Sequence, residues 1–445
     1  MVSFFYSPNM LNYTVMKINS LEKKKVLILG IGREGADSFV FLRKKFPKKK
    51  IFVADRKELK DLDLKTRKLF DKNTELFLGQ DYLKNIKSFD VILKSPGISL
   101  SSIRKYLGKK TKVTSQTELF FDNCPAMIIG VTGTKGKSTT SSLIHSVLKG
   151  TGSKAYLVGN IETPSLSFLM KVKKSDIFVY ELSSHQLQGM QASPHIAVFL
   201  NIYPEHLDYY KDFKEYFSAK ANICKYQKKD DYFIFNPKMK EINDLSKKVK
   251  SKKVEINPLD FSGFLKEHQE FLEITHIDNL VAALNVFKIL GIEEEKIIKA
   301  LKKFKRPEHR LEFIGEKKGI RFYDDSISTI PEAAVFALDY LGPDVETIIL
   351  GGYDRGIKFE KLGERLSKSD VKNLILFNPS GEKILKTVKG KMRSVFVKDM
   401  EEAVKHCFRI TSKGKICLLS PASPSFGVFR DYKERGDLFK KYVKA

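Results

Sequence analysis

Residues Ala126-Met127-Ile128-Ile129 run into Gly130-Val131-Thr132-Gly133-Thr134-Lys135-Gly136-Lys137-Ser138-Thr139-Thr140, and a helical stretch from Ser141 to Lys149 follows. A short apolar strand that ends in a glycine-rich turn and opens a helix is the build of a phosphate-binding loop. Small residues let successive backbone N–H groups converge on phosphate oxygens at a helix N-terminus, Lys137 supplies a cation to the outer phosphates, and Ser138 can ligate magnesium. Val131 stands where a standard loop of this kind has glycine, which narrows the type. A functionless turn would need neither the strand before it nor the helix after it. The segment commits the surrounding chain to a parallel α/β sheet.

Two further stretches repeat the strand-into-turn pattern. Val26-Leu27-Ile28-Leu29 enters Gly30-Ile31-Gly32-Arg33-Glu34-Gly35, a helix is expected over Ala36 to Lys45, and Ile51-Phe52-Val53-Ala54 ends in Asp55. A lone G-x-G-x-x-G is weak, but strand, helix and terminal acid together predict a Rossmann-like unit, with Asp55 where a nucleotide ribose or base would lie. They do not choose NAD over another nucleotide. Val91-Ile92-Leu93 then runs into Lys94-Ser95-Pro96-Gly97-Ile98, a tight turn expected at the carboxyl edge of the same sheet. A third unit is expected from near Pro307-Glu308-His309-Arg310, after a basic helix ending at Lys305. In it Thr347 to Leu350 enters Gly351-Gly352-Tyr353-Asp354-Arg355-Gly356, and Ile416 to Leu419 enters Ser420-Pro421-Ala422-Ser423. The sequence thus predicts three α/β domains, at about residues 24–122, 123–306 and 307–445: Rossmann-like, P-loop with a parallel sheet, and Rossmann-like again.

Composition removes several alternatives. An apolar share of 42% with 33 Phe in 445 residues excludes a disordered or low-complexity chain. Eighty Lys+Arg against 53 Asp+Glu leave +27, a balance that suits a polyanion. The lysines, however, are scattered as in Lys48-Lys49-Lys50 and Lys302-Lys303 and lack the interleaved aromatics of a strand-binding groove, so no specific nucleic-acid partner is expected. Cys124, Cys224, Cys407 and Cys417 show no C-x-x-C spacing, which argues against a disulfide framework and a structural zinc and for a reducing compartment. No apolar run reaches the ~18 residues of a membrane span, and the first 25 residues make a poor signal peptide, so a cytoplasmic location is expected. That prefix is expected to lie outside the fold, with Met10 and Met16 as alternative starts to Met1.

Several motifs stand in one order: Val131-Thr132-Gly133-Thr134-x-Gly136-Lys137-Ser138-Thr139, Glu181-Leu182-Ser183-Ser184-x-Gln186-Leu187, Asn201-x-x-x-x-His206-Leu207-Asp208, Leu419-Ser420-Pro421-Ala422-Ser423-x-Ser425-Phe426 and Arg435-Gly436-x-x-Phe439. With these the chain resembles, over about residues 24 to 442, the Mur ligases, ATP-dependent amide-bond-forming enzymes of peptidoglycan synthesis. The resemblance is strongest to members that join D-glutamate to UDP-N-acetylmuramoyl-L-alanine. It implies a monomer that uses ATP and two magnesium ions, with Lys137, Glu181, His206 and Lys220 as the catalytic set. Ser138, Glu181, His206 and Lys220, carbamylated within Tyr216-x-x-Ala219-Lys220-x-x-Ile223, would hold the metal. ATP would lie on Gly133, Thr134, Lys135, Gly136, Lys137, Ser138 and Thr139, with His276 and Asn279 near the adenine and Arg310 and Asp325 on phosphates and ribose. The nucleotide-sugar would meet Gly30, Gly32, Arg33, Asp55, Arg56, Ser95, Pro96, Gly97, Asn160 and Gln186. Thr329, Arg355, Ser425 and Tyr432 would take the amino acid.

The chemistry asks for such a set. A carboxylate does not react with an amine until it becomes an acyl phosphate, and both that step and the tetrahedral one gather negative charge that a cation, a metal and backbone N–H groups must stabilise. The chain departs from the family pattern at Ile327, where a lysine is usual, at Lys135, Glu205 and Thr275-His276, and at Arg355, which replaces a lysine. Other readings are a Mur-type ligase with a different acceptor, a non-catalytic paralogue, and a nucleic-acid-binding ATPase. The last leaves Glu181, His206 and Lys220 in one ordered set unexplained.

Overall fold

The computed structural model describes residues 15–160, 163–206, 209–304, 308–354 and 356–445. The chain divides into two compact units between Lys305 and Arg306. Among the described residues no helix is long and apolar enough to cross a membrane.

The first unit holds two parallel sheets. One comprises β1 (Val26–Leu29), β2 (Ile51–Asp55), β3 (Thr74–Leu78), β4 (Val91–Lys94) and β5 (Lys112–Thr114) in the order β3-β2-β1-β4-β5. The other comprises β6 (Met127–Thr132), β7 (Ala155–Gly159), β8 (Ile177–Glu181), β9 (Ile196–Phe199), β10 (Tyr232–Phe235) and β11 (Lys252–Glu255) in the order β11-β10-β9-β6-β8-β7. Their central strands are buried on both faces, which is why they read as unbroken apolar runs. In each sheet the first strand lies in the middle with its successors on both sides. The direction of winding therefore reverses beside β1 and beside β6, and ligands in such sheets bind at the carboxyl ends of the strands flanking that point. Those ends carry Gly30 and Ser95 in one sheet and Gly133, Leu182 and Leu200 in the other.

One apolar cluster spans both sheets, with Phe120 against Phe178 at 5.0 Å between ring centroids. Residues from Met16 onward join it, which corrects the expectation that the whole prefix lies outside the fold. Met16, Ile18 and Leu21 are buried, the Met16 N–H donates to Asp122 Oδ2 at 2.7 Å, and Asn123 Nδ2 donates to Met16 O at 2.8 Å. The alternative start Met10 falls outside the described residues.

The second unit carries β12 (Glu312–Lys317), β13 (Ile320–Asp324), β14 (Val345–Gly351), β15 (Asn373–Phe377), β16 (Arg393–Phe396) and β17 (Ile416–Leu419), ordered β12-β13-β17-β14-β15-β16. Only the β12/β13 pair is antiparallel. Arg435, wholly buried, ties the loops at the carboxyl edge. Its guanidinium donates to Ser326 Oγ (3.0 Å), Ser326 O (2.7 Å) and Ser423 O (3.0 Å). Burial pulls its pKa down to about 9 although Asp324 and Asp325 lie near. Arg435→Met leaves the Ser326 hydroxyl and the two carbonyls without their donor and Asp324 and Asp325 without a nearby positive charge, and is expected to cost about 3–5 kcal/mol, read as a lower urea midpoint for this unit's unfolding.

Candidate active site

The phosphate-binding loop sits at the carboxyl end of β6. The helix that follows it runs Lys137–Gly150, four residues earlier than the sequence predicts, because Gly136 at φ +83° serves as its N-cap. A side chain at 136 is excluded twice: the backbone is left-handed, and a Cβ would lie 2.5 Å from Asn279 Oδ1. Asn279 thus lies against the loop, while His276 caps the Ile277–Ile289 helix through its ring nitrogen. Ser138 is buried and Thr139 half-buried on the first turn.

Asn201, just past β9, latches the loop from the neighbouring strand. Its Oδ1 accepts from the Lys135 N–H (2.9 Å), its Nδ2 donates to Lys135 O (3.1 Å), and its O accepts from the Thr134 N–H (3.0 Å). Asn201 and Tyr216 stand within sequence motifs that assign neither of them a task. The structure sets the Tyr216 hydroxyl 3.1 Å from Thr134 Oγ1, with the Lys220 ammonium 5.2 Å above its ring and the His206 ring 6.1 Å away.

Two lysine amines converge on one carbonyl. Lys220 Nζ donates to Gly133 O at 2.8 Å, and Lys137 Nζ donates to the same oxygen at 2.9 Å and to Thr134 O at 2.9 Å. Lys220 lies on the Phe213–Lys225 helix and is buried. Desolvation, helped by the positive charge of Lys137, holds its pKa well below that of a free lysine, although Glu205 and Glu181 pull the other way. Glu205 pairs with Lys135 at 2.7 Å; burial would raise its carboxyl, but Lys135 and Lys137 outweigh that and hold it below the usual range.

Glu181, the last residue of β8, is completely buried. Its Oε1 accepts from Asn160 Nδ2 at 2.8 Å, and its Oε2 has no hydrogen-bond partner. His206, at φ +57°, has its ring 4.8 Å from that of His185 and its Nε2 3.7 Å from Glu205 Oε2. The loop, Lys220, Glu181 and His206 therefore form one neighbourhood, built from the ends of β6, β8 and β9.

In the first sheet the Gly30 turn is braced from both sides. Asp55 Oδ2 accepts from the Ile31 N–H at 2.8 Å and Oδ1 from the Lys57 N–H at 2.9 Å, while Ser95 Oγ donates to Gly30 O at 2.7 Å. Asp55 is thus also a brace for the turn. Gly32, Arg56 and Gly97 are exposed around it, and Pro96 O accepts from the Tyr209 hydroxyl at 3.0 Å. Gln186 Nε2 donates to Glu34 Oε1 at 2.7 Å. Burial raises the Glu34 carboxyl and lowers the nearby Lys94 ammonium to about 8.

In the second unit Arg310 and Asp325 meet electrostatically. Asp325 is buried at the end of β13, accepting from Ser328 Oγ, from Ser420 Oγ at 2.7 Å and from the Leu311 N–H at 3.2 Å; burial pushes it up to about 6. Arg310 Nε is buried with no hydrogen-bond partner. Thr329 and Tyr432 are half-buried, Ser425 is buried, and the Tyr432 carbonyl accepts from Ser326 Oγ at 2.7 Å. Ile327 is half-buried, and Arg355 lies outside the described residues.

Family models for the Mur ligase middle domain and for the Mur ligase glutamate ligase domain match residues 131–294 and 309–423. The chain belongs to the Mur ligase family. Among curated relatives, proteins named UDP-N-acetylmuramoylalanine--D-glutamate ligase are 34% identical in Acetivibrio thermocellus, over 96% of this chain and 99% of that one, and 32% identical in Clostridium kluyveri, over 94% and 96%. Solved structures share the fold. MurF ligase from Thermotoga maritima in complex with ADP has TM-score 0.54 and 20% identity, over 94% of this chain and 95% of that one. UDP-N-acetylmuramate-alanine ligase MurC of the same organism has TM-score 0.53 and 16% identity, over 95% and 99%.

Proposed function

We propose that this chain is an ATP-dependent ligase that adds D-glutamate to UDP-N-acetylmuramoyl-L-alanine in the cytoplasm. The relatives' shared name supports the choice of substrates. The observation that carries the chemistry is the convergence of Lys137 and Lys220 on Gly133 O beside a buried carboxylate with one unpartnered oxygen. In this reading the muramoyl-alanine carboxylate attacks the γ-phosphorus and ADP leaves. The glutamate amine then attacks the acyl carbon, phosphate departs, and the nitrogen loses a proton. Lys137 and the backbone N–H groups of the loop hold the charge that grows on the transferred phosphoryl group.

Magnesium fits the residues present. A buried Glu181 Oε2 without a donor needs a cation or a proton, and hard oxygen donors suit Mg2+. Glu181, Ser138, His206 and a carbamylated Lys220 would hold two such ions, and the chemistry those ions would supply is charge screening at the phosphate oxygens. Lys220 is suited to carbamylation, because only a neutral amine attacks CO2 and its surroundings disfavour the ammonium. The carbamate turns a cation into an anion able to face a metal.

In the second unit Thr329, Ser425, Tyr432 and Arg355 would take the amino acid. A guanidinium with hydroxyls suits a dicarboxylate and places an ammonium-bearing side chain beside a like charge. The test is phosphate release from ATP with UDP-N-acetylmuramoyl-L-alanine and each candidate amino acid in turn. D-Glutamate is expected to give the highest kcat/KM. A neutral or basic amino acid that outcompetes it would overturn the pocket assignment and make Ile327 the first residue to change.

A further inference from the structure

Arg33 opens the Arg33–Lys45 helix directly after the Gly30 turn of the first sheet, yet its guanidinium is used on the second sheet. Nη2 donates to Asn160 O at 2.7 Å and to Gly159 O at 3.3 Å. Asn160 in turn grips Glu181 twice, its N–H donating to Glu181 O at 3.1 Å and its Nδ2 to Glu181 Oε1 at 2.8 Å. So close an approach is open only to glycine at the preceding position: Gly159 has φ +110°, and a Cβ there would lie 2.3 Å from Glu181 O. With Oε1 bonded by Asn160, the carboxylate's orientation is tied to that turn, and Oε2 is the oxygen without a hydrogen-bond partner. Glu34, the carboxylate next to Arg33, has Oε1 bonded by Gln186 Nε2 and a buried Oε2 with no hydrogen-bond partner, while the guanidinium bonds the Gly159 and Asn160 carbonyls.

From this relay we infer that Arg33 is a positioning residue for the ion-binding carboxylate. It holds the Gly159–Asn160 turn against β8 and so fixes Glu181, and it does this from the turn where the nucleotide-sugar is proposed to bind. Ion binding at Glu181 is therefore coupled to the state of the first sheet's loop. The inference rests on the reading of Glu181 as a metal ligand.

The test is a titration of the full chain with Mn2+ in the presence of ADP, reading free Mn2+ by its electron paramagnetic resonance signal, alongside steady-state kinetics and thermal unfolding. Partners that orient a metal ligand typically contribute about 10–100-fold in metal affinity. Arg33→Met is accordingly expected to weaken Mn2+ binding by about 10-fold and to lower kcat more than it raises KM for the nucleotide-sugar. Arg33→Lys, which keeps one donor within reach of Asn160 O, should recover most of the loss. Unchanged Mn2+ affinity with a raised KM would overturn the inference and make Arg33 a substrate contact. A lower unfolding temperature with Mn2+ affinity and kcat unmoved would overturn it in favour of a purely structural tie. Glu181→Gln in the same titration separates the two levels. If it leaves Mn2+ affinity unchanged, the metal assignment itself has failed; if it weakens binding and Arg33→Met does not, the inference alone has failed.

Discussion

Lys137→Ala is expected to lower ATP-dependent ligation by at least about 10²–10³-fold while leaving the unfolding transition where it is. The ammonium is half-buried over its own loop, bonded to Gly133 O and Thr134 O, and Gly133 O keeps the Lys220 amine as a donor when it is removed. What is lost is a preorganised cation where charge develops on the transferred phosphoryl group. A second effect adds to the first. Behind desolvation, the charge of Lys137 is a cause of the lowered pKa of Lys220, so its removal also makes the Lys220 ammonium easier to form. Phosphate-release turnover near that of the wild type would sink the assignment of this loop to ATP.

Lys220→Ala is expected to be inactive, and partly rescued by formate or acetate at high concentration. An amine whose pKa burial and the charge of Lys137 hold well below that of a free lysine is poorly suited to serve as a permanent cation and well suited to react with CO2. The truncated side chain leaves room for a small carboxylate to stand in for the carbamate oxygens. Removal of CO2 from the wild-type enzyme should lower activity in the same direction. Turnover by Lys220→Ala at the wild-type rate, with no response to added carboxylate, would reduce Lys220 to a buried structural amine.

The central strands were legible because a strand covered on both faces must be apolar throughout: Val26–Leu29 and Ile416–Leu419 stand where their sequence placed them. The edge strands were not. β11 (Lys-Lys-Val-Glu) and β16 (Arg-Ser-Val-Phe) are largely exposed, so nothing in their composition separates them from loops. Helix starts were read late at both glycine turns, at Ala36 for Arg33 and at Ser141 for Lys137, because Gly32 and Gly136 act as N-caps without any side-chain cap to signal them. At the site, motif order singled out Lys137, Glu181, His206 and Lys220, which the fold gathers beside one loop. Asn201 and Asn160 owe their places to strand ends far apart in sequence and Tyr216 to the Phe213–Lys225 helix, and no local pattern announces that Asn160 holds Glu181 or that Asn201 latches Lys135.

β17 is the last strand of the chain and yet lies near the middle of its sheet, between β13 and β14. During synthesis the second unit can assemble only two disconnected pieces, β12–β13 and β14–β15–β16, until residues 416–419 leave the ribosome. Until then the facing edges of β13 and β14, both lined with buried apolar residues, are open to pairing with other chains. Joining Arg321 to Ile416 closes a long loop, and such non-local pairing is slow to form. This unit therefore stays open to misassembly until its last strand is in place.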